Sequence, residues 1–201
     1  MMQRTDSGLR FLGVAALALL VSGCGTIKYM KELPAGTAVK APAPGKAMVV
    51  FMRSSFVGQA ISSSVFEIRN DNPELVGLVA NKTMVAHEVD PGKRLFMVVS
   101  ESADYMSADL APGRTYYAFI TPRMGAFRAR FSLAPVKKGG EFSKEAESCL
   151  RECRLVANTP ESEGWARQNM ADIRSKHAEN YSRWNQKPEK EKPHLAGGDA
   201  V

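Results

Sequence analysis

Histidine and cysteine, the residues that most often carry metal and nucleophilic chemistry, number only three each in 201 residues. His87, His177 and His194 are widely spaced, and none lies near the Cys149 and Cys153 pair. There is no Gly-x-Ser-x-Gly elbow, no His-Glu-x-x-His helix and no phosphate-binding glycine loop. His87 and Glu88 are neighbours in a predicted strand, where neighbours point to opposite faces, so they make a poor acid–base pair. These absences assign no catalytic residue, no metal site and no other cofactor, and the chain reads as non-enzymatic. Nothing beyond residue 21 approaches eighteen successive apolar residues, the minimum for a hydrophobic transmembrane helix. Charge of one sign is also scarce: 27 basic against 21 acidic side chains leave a net of +6. That surplus permits attraction to acidic partners. It is too diffuse for the concentrated basic patch of a nucleic-acid binder.

What is present begins at the amino terminus. Arg4 and Arg10 precede an apolar run from Phe11 to Val21 that closes on Val21-Ser22-Gly23-Cys24. A positive start, a short apolar middle and small residues at the end make a secretory signal peptide. The cysteine after the small pair resembles the lipobox of bacterial lipoproteins. That resemblance implies removal of residues 1–23, a diacylglyceryl thioether on Cys24 and acylation of the new amino terminus. The membrane is then a partner through lipid on Cys24, since two or more acyl chains anchor stably. Gly25 stands where an aspartate retains Gram-negative lipoproteins in the inner membrane. By that rule the protein belongs to the outer membrane, on the periplasmic face rather than the cell surface. Residues 24–45 hold Pro34, Pro42 and Pro44 with no apolar period. They read as a tether reaching several tens of Å from the bilayer.

Residues 46–138 read as a β-sandwich of about eight short strands. Strands are expected near 47–53, 62–69, 74–79, 83–89, 94–101, 105–110, 115–121 and 126–134. Asn70-Asp71-Asn72-Pro73, Asn81-Lys82, Asp90-Pro91-Gly92 and Ala111-Pro112-Gly113 separate several of them. Phe127, Ala129, Phe131 and Leu133 alternate with Arg128, Arg130 and Ser132, so one face is expected on the core and one in water. Phe66 and Ile68 alternate likewise with Glu67 and Arg69. Tyr116, Tyr117, Phe119 and Ile120 leave no polar face, so that strand is expected to be covered on both sides.

The succession Ala47-Met48-Val49-Val50-Phe51-Met52-Arg53, Val76-Gly77-Leu78-Val79, Pro91-Gly92-Lys93 and Gly113-Arg114-Thr115-Tyr116-Tyr117 resembles an uncharacterised bacterial domain family common in envelope lipoproteins. The resemblance spans roughly residues 45–138. It implies a compact β-sandwich related to carbohydrate-binding-like and PEGA-like modules, and it carries over no site residues.

Residues 139–186 read as a helical extension. A short helix over 141–153 would end at Cys149 and Cys153. A disulfide, free thiols or a metal site are all open to that pair; the even remainder after Cys24 and an oxidising compartment favour the disulfide. Thr159-Pro160-Glu161 is a helix start. Ala166, Met170, Ile173, His177, Tyr181 and Trp184 then recur at helical spacing on one stripe. This stripe either docks on the sandwich or forms, with Arg128 and Arg130, a surface for a partner. Residues 187–201 read as a disordered tail. Together these readings predict a lipid-anchored module for binding or assembly in the envelope, with a possible envelope protein partner. A glycan- or lipid-binding module using Trp165, Tyr181 and Trp184 is the alternative.

Overall fold

The computed structural model describes residues 29–55, 62–124 and 129–200. Cys24, the signal peptide, Phe127 and Arg128 lie outside the described residues. The fold is mainly β. Strands β1 (Lys31–Glu32), β2 (Ala47–Arg53), β3 (Ser63–Arg69), β4 (Asn72–Val79), β5 (Thr83–Val89), β6 (Gly92–Val99), β7 (Ala103–Leu110), β8 (Thr115–Met124) and β9 (Ala129–Pro135) come first. Helix α1 (Ser143–Glu152), β10 (Arg154–Ala157), helix α2 (Pro160–Asn185) and β11 (His194–Leu195) follow. They form two sheets, β1-β10-β5-β2-β8-β9 and β11-β7-β6-β3-β4.

The sheets face each other across a shared core in which Val49, Phe51 and Tyr116 of the first meet Val65, Phe96 and Met106 of the second. The Phe51 and Phe96 rings meet edge-on, 5.1 Å apart, a favoured aromatic geometry. Each sheet carries a helix on its outer face. Helix α1 covers Met48, Val50, Met52 and Phe119, while α2 covers Phe66, Met97 and Tyr105. This explains why every residue of β2 is buried and why β8 is apolar on both faces. Each large side chain so buried contributes about 1.5–3 kcal/mol.

The turns follow their sequences. Asn70 and Asp71 both have positive φ, 48° and 63°, as a two-residue hairpin loop of type I′ requires. Gly92 and Gly113 follow Pro91 and Pro112 with φ of 98° and 72°, where a side chain would be strained. Helix α2 starts where expected. Ser162 N–H donates to Thr159 Oγ1, Thr159 N–H donates to Ser162 Oγ, and Pro160 occupies the first turn. Thr159 Oγ1 also donates to the carbonyl of Tyr29 at 2.7 Å. Thr159→Ala is therefore expected to cost about 1–2 kcal/mol, read as a melting temperature lowered by several degrees.

Three expectations are corrected. The segment read as a tether is part of the domain from residue 29 onward. Met30 is buried, β1 pairs with β10, Leu33 and Val39 pack in the α1 cluster, and Ala43 N–H donates to Glu88 Oε2. The tail is likewise folded: β11 pairs in parallel with β7, and Leu195 is fully buried. Glu67, expected to face water, is 1% exposed. With α2 on one face of the second sheet and the first sheet on the other, alternation along β3 separates two buried faces.

Candidate functional site

The β8–β9 hairpin places Arg123 directly opposite Arg130, an arrangement that costs stability because like charges face each other. The last turns of α2 bring Arg183 and Trp184 to the same place, Lys187 follows just beyond the helix, and β7 supplies Asp104. Together they line a pocket of about 170 Å³. Asp104 is nearly buried; Arg123 Nη2 lies 3.0 Å from its Oδ2 and Lys187 Nζ 3.7 Å from its Oδ1. Among the described residues Arg130 and Arg183 have no carboxylate partner. Two of the four cations thus share the pocket's one carboxylate, and the other two have none. Three polar atoms of the lining residues, Ser132 Oγ, Trp184 Nε1 and Asp104 Oδ2, are buried and lack a hydrogen-bond partner. An unmade buried hydrogen bond costs about 1–3 kcal/mol. The pocket thus holds surplus positive charge, with Trp184 Nε1 and Ser132 Oγ free to donate and Asp104 Oδ2 free to accept.

The proposed partner surface is only partly brought together. Arg130 and Trp184 line the pocket. His177 is instead 5% exposed, on the face of α2 that packs against the sheet. Its Nδ1 lies 3.0 Å from Tyr105 Oη and its Nε2 lies 3.1 Å from Asp71 Oδ1. Tyr181 is half-buried, packed against Tyr105 and stacked on Trp184. The helical stripe is a docking face because its aromatics fill the space over Phe66, Met97 and Tyr105. His177 is therefore buried against the sheet, while Tyr181 stays partly exposed. Burial pushes the Tyr105 phenol above its ordinary range, with the nearby Asp104 charge adding to it. Cys149 and Cys153 form a disulfide inside the α1 cluster, away from the pocket lining.

A second charged cluster was invisible in the sequence. His87 pairs not with Glu88 but with Glu67 of the opposite sheet, Nε2 to Oε2 at 2.9 Å. Arg69 donates to the same oxygen at 2.7 Å, and Arg94 Nε lies 3.8 Å from Oε1. Burial alone would raise the Glu67 carboxyl, but the hydrogen bonds and charges of His87 and Arg69 together carry it below its ordinary value. A buried carboxylate so enclosed fastens the two sheets at one end. A third feature is a groove of about 300 Å³ lined by Tyr29, Leu78, Trp165 and Ile173. Comparison with protein-family models gives no match, and neither does comparison with curated proteins.

Proposed function

We propose that this chain is an outer-membrane lipoprotein, held on the periplasmic face through lipid on Cys24, that acts as a non-enzymatic binding or assembly module. The observation that carries the reading is the lipobox-like Val21-Ser22-Gly23-Cys24 standing just before the folded domain. Five residue steps from Cys24 to Tyr29 reach at most about 18 Å. Tyr29 is itself pinned by Thr159. The anchor and the domain therefore belong to one compact unit, not to a head on a long leash. The resemblance of residues 45–138 to domains of envelope lipoproteins supports the same reading. The basic pocket supplies a place for an acidic partner.

The experiment is membrane fractionation of the wild type and Cys24→Ala, both expressed with the native signal peptide. Loss of the variant from the membrane fraction, with loss of incorporated labelled fatty acid, is the expected result. Unchanged retention and labelling would refute the anchor.

A further inference from the structure

We infer that the pocket between the β8–β9 hairpin and the end of α2 binds a phosphate monoester group. The inference rests on the reading of the chain as a binding module and names what the module binds. Four observations carry it.

The first is charge. Arg123, Arg130, Arg183 and Lys187 line a pocket whose one carboxylate is Asp104, with which only Arg123 and Lys187 pair, leaving a surplus of three positive charges. A folded chain gains nothing by gathering them: among the described residues Arg130 and Arg183 are bound to no carboxylate, and Arg123 and Arg130 face each other across a hairpin. A dianionic ligand relieves that repulsion, and a monoester phosphate carries about 1.5 to 2 negative charges at neutral pH.

The second is the donor inventory. Guanidinium groups present planar forks of N–H donors suited to phosphate oxygens, and the Trp184 indole N–H, buried and unpartnered, is a donor with no acceptor role. Ser132 can donate as well. Asp104 Oδ2 is a buried acceptor that also lacks a hydrogen bond, so the lining offers donors in excess rather than donors alone, and the ligand must offer mainly acceptors, as the terminal oxygens of a phosphate do. The third is size. About 170 Å³ is well below the roughly 300–1,000 Å³ of pockets that enclose a whole small molecule. The site therefore takes the charged end of something larger or a very small ester. The fourth is rigidity. Trp184 is held by Tyr105 and Tyr181, so one wall is set before the ligand arrives, which lowers the ordering cost of binding.

The phosphate can come from a lipid head group or from a soluble ester. The test uses the full chain in detergent with Trp165→Phe, which leaves Trp184 as the single tryptophan. Glycerol phosphate is titrated at constant ionic strength, with calorimetry alongside emission. Saturable binding is expected. The double variant Arg130→Gln/Arg183→Gln, which removes no ion pair among the described residues and relieves the Arg123–Arg130 repulsion, is expected to bind about tenfold or more weakly at a melting temperature no lower than that of the wild type. Equal affinity in the double variant overturns the proposal, as does a titration with neither heat nor emission change beyond matched sodium chloride. Succinate binding as tightly as glycerol phosphate overturns the phosphate assignment. Phosphatidylcholine vesicles with and without phosphatidic acid then distinguish the sources. Tighter binding to phosphatidic acid than to glycerol phosphate supports a lipid head group, and binding to the soluble ester alone supports a free one. The titration is independent of Cys24 fractionation, so pocket and anchor fail separately.

Discussion

Leu195→Ala is expected to lower the melting temperature by on the order of 10 °C, a loss of about 3 kcal/mol. The substitution falls six residues from the end of a charged, glycine-bearing segment, where a change to alanine would ordinarily do nothing. Here the side chain is fully buried in the core between the sheets. Its strand is held at several points. Ser107 N–H donates to the Pro193 carbonyl, Ser107 Oγ lies 2.9 Å from His194 Nδ1, and Tyr116 Oη donates to the Gly197 carbonyl. These bonds fix the backbone, so the chain cannot slide to fill the space that the smaller residue leaves. Thermal melting followed by circular dichroism measures the effect. A shift within about 1 °C would mean that the end of the chain contributes nothing to the core.

Glu67→Gln is the second large effect, about 3 kcal/mol with the fold retained, read in urea. The glutamine keeps the shape but removes the charge that Arg69, Arg94 and His87 surround. Arg69, Arg94 and His87 are all partly exposed to water, so the cost falls at the lower end of the range for broken buried pairs. The pH dependence gives a sharper signature. Because the folded Glu67 carboxyl lies below its ordinary value of 4.5, the unfolded chain takes up the proton first as pH falls. The stabilisation is fully present above that value and is lost as pH drops through the lower folded one. The wild type should therefore lose its advantage over Glu67→Gln in that acid window and keep it at neutral pH. A gap between the two that stays constant down through the window would mean that the carboxylate is not stabilised in the fold.

The strands with strong period-two patterns, their turns, and the stripe of α2 were all legible in the sequence. They are long enough for burial to leave a repeating mark. Strands β1 and β11 have two residues each and β10 has four, too few for any period, and their pairing is set by partners far away in the chain. The tail failed for a related reason. One leucine among charged and small residues does not look like a core segment, yet backbone pairing delivers it there. Glu67 was misplaced because alternation says which residues share a face, not whether the other face is covered. Of the pocket, Arg130 was visible as part of a basic strand face and Trp184 as part of the helical stripe. Nothing local connects them to Asp104 or Lys187. That connection exists only because α2 ends beside the β8–β9 hairpin.

Helix α2 also sets a distance. Its start is bonded through Thr159 to Tyr29, the described residue nearest Cys24 in the chain, and its far end carries Arg183 and Trp184 at the basic pocket. Twenty-six helical residues at 1.5 Å each span about 39 Å. The spacing that a proline-bearing leash would have supplied loosely is built instead as a stiff rod. With the lipid proposed on Cys24, anchor and pocket would lie toward opposite ends of it. An upright rod would then hold the pocket away from the anchoring leaflet, and a flat one would lay the pocket on it, so the tilt of one helix would decide which ligands the proposed module meets.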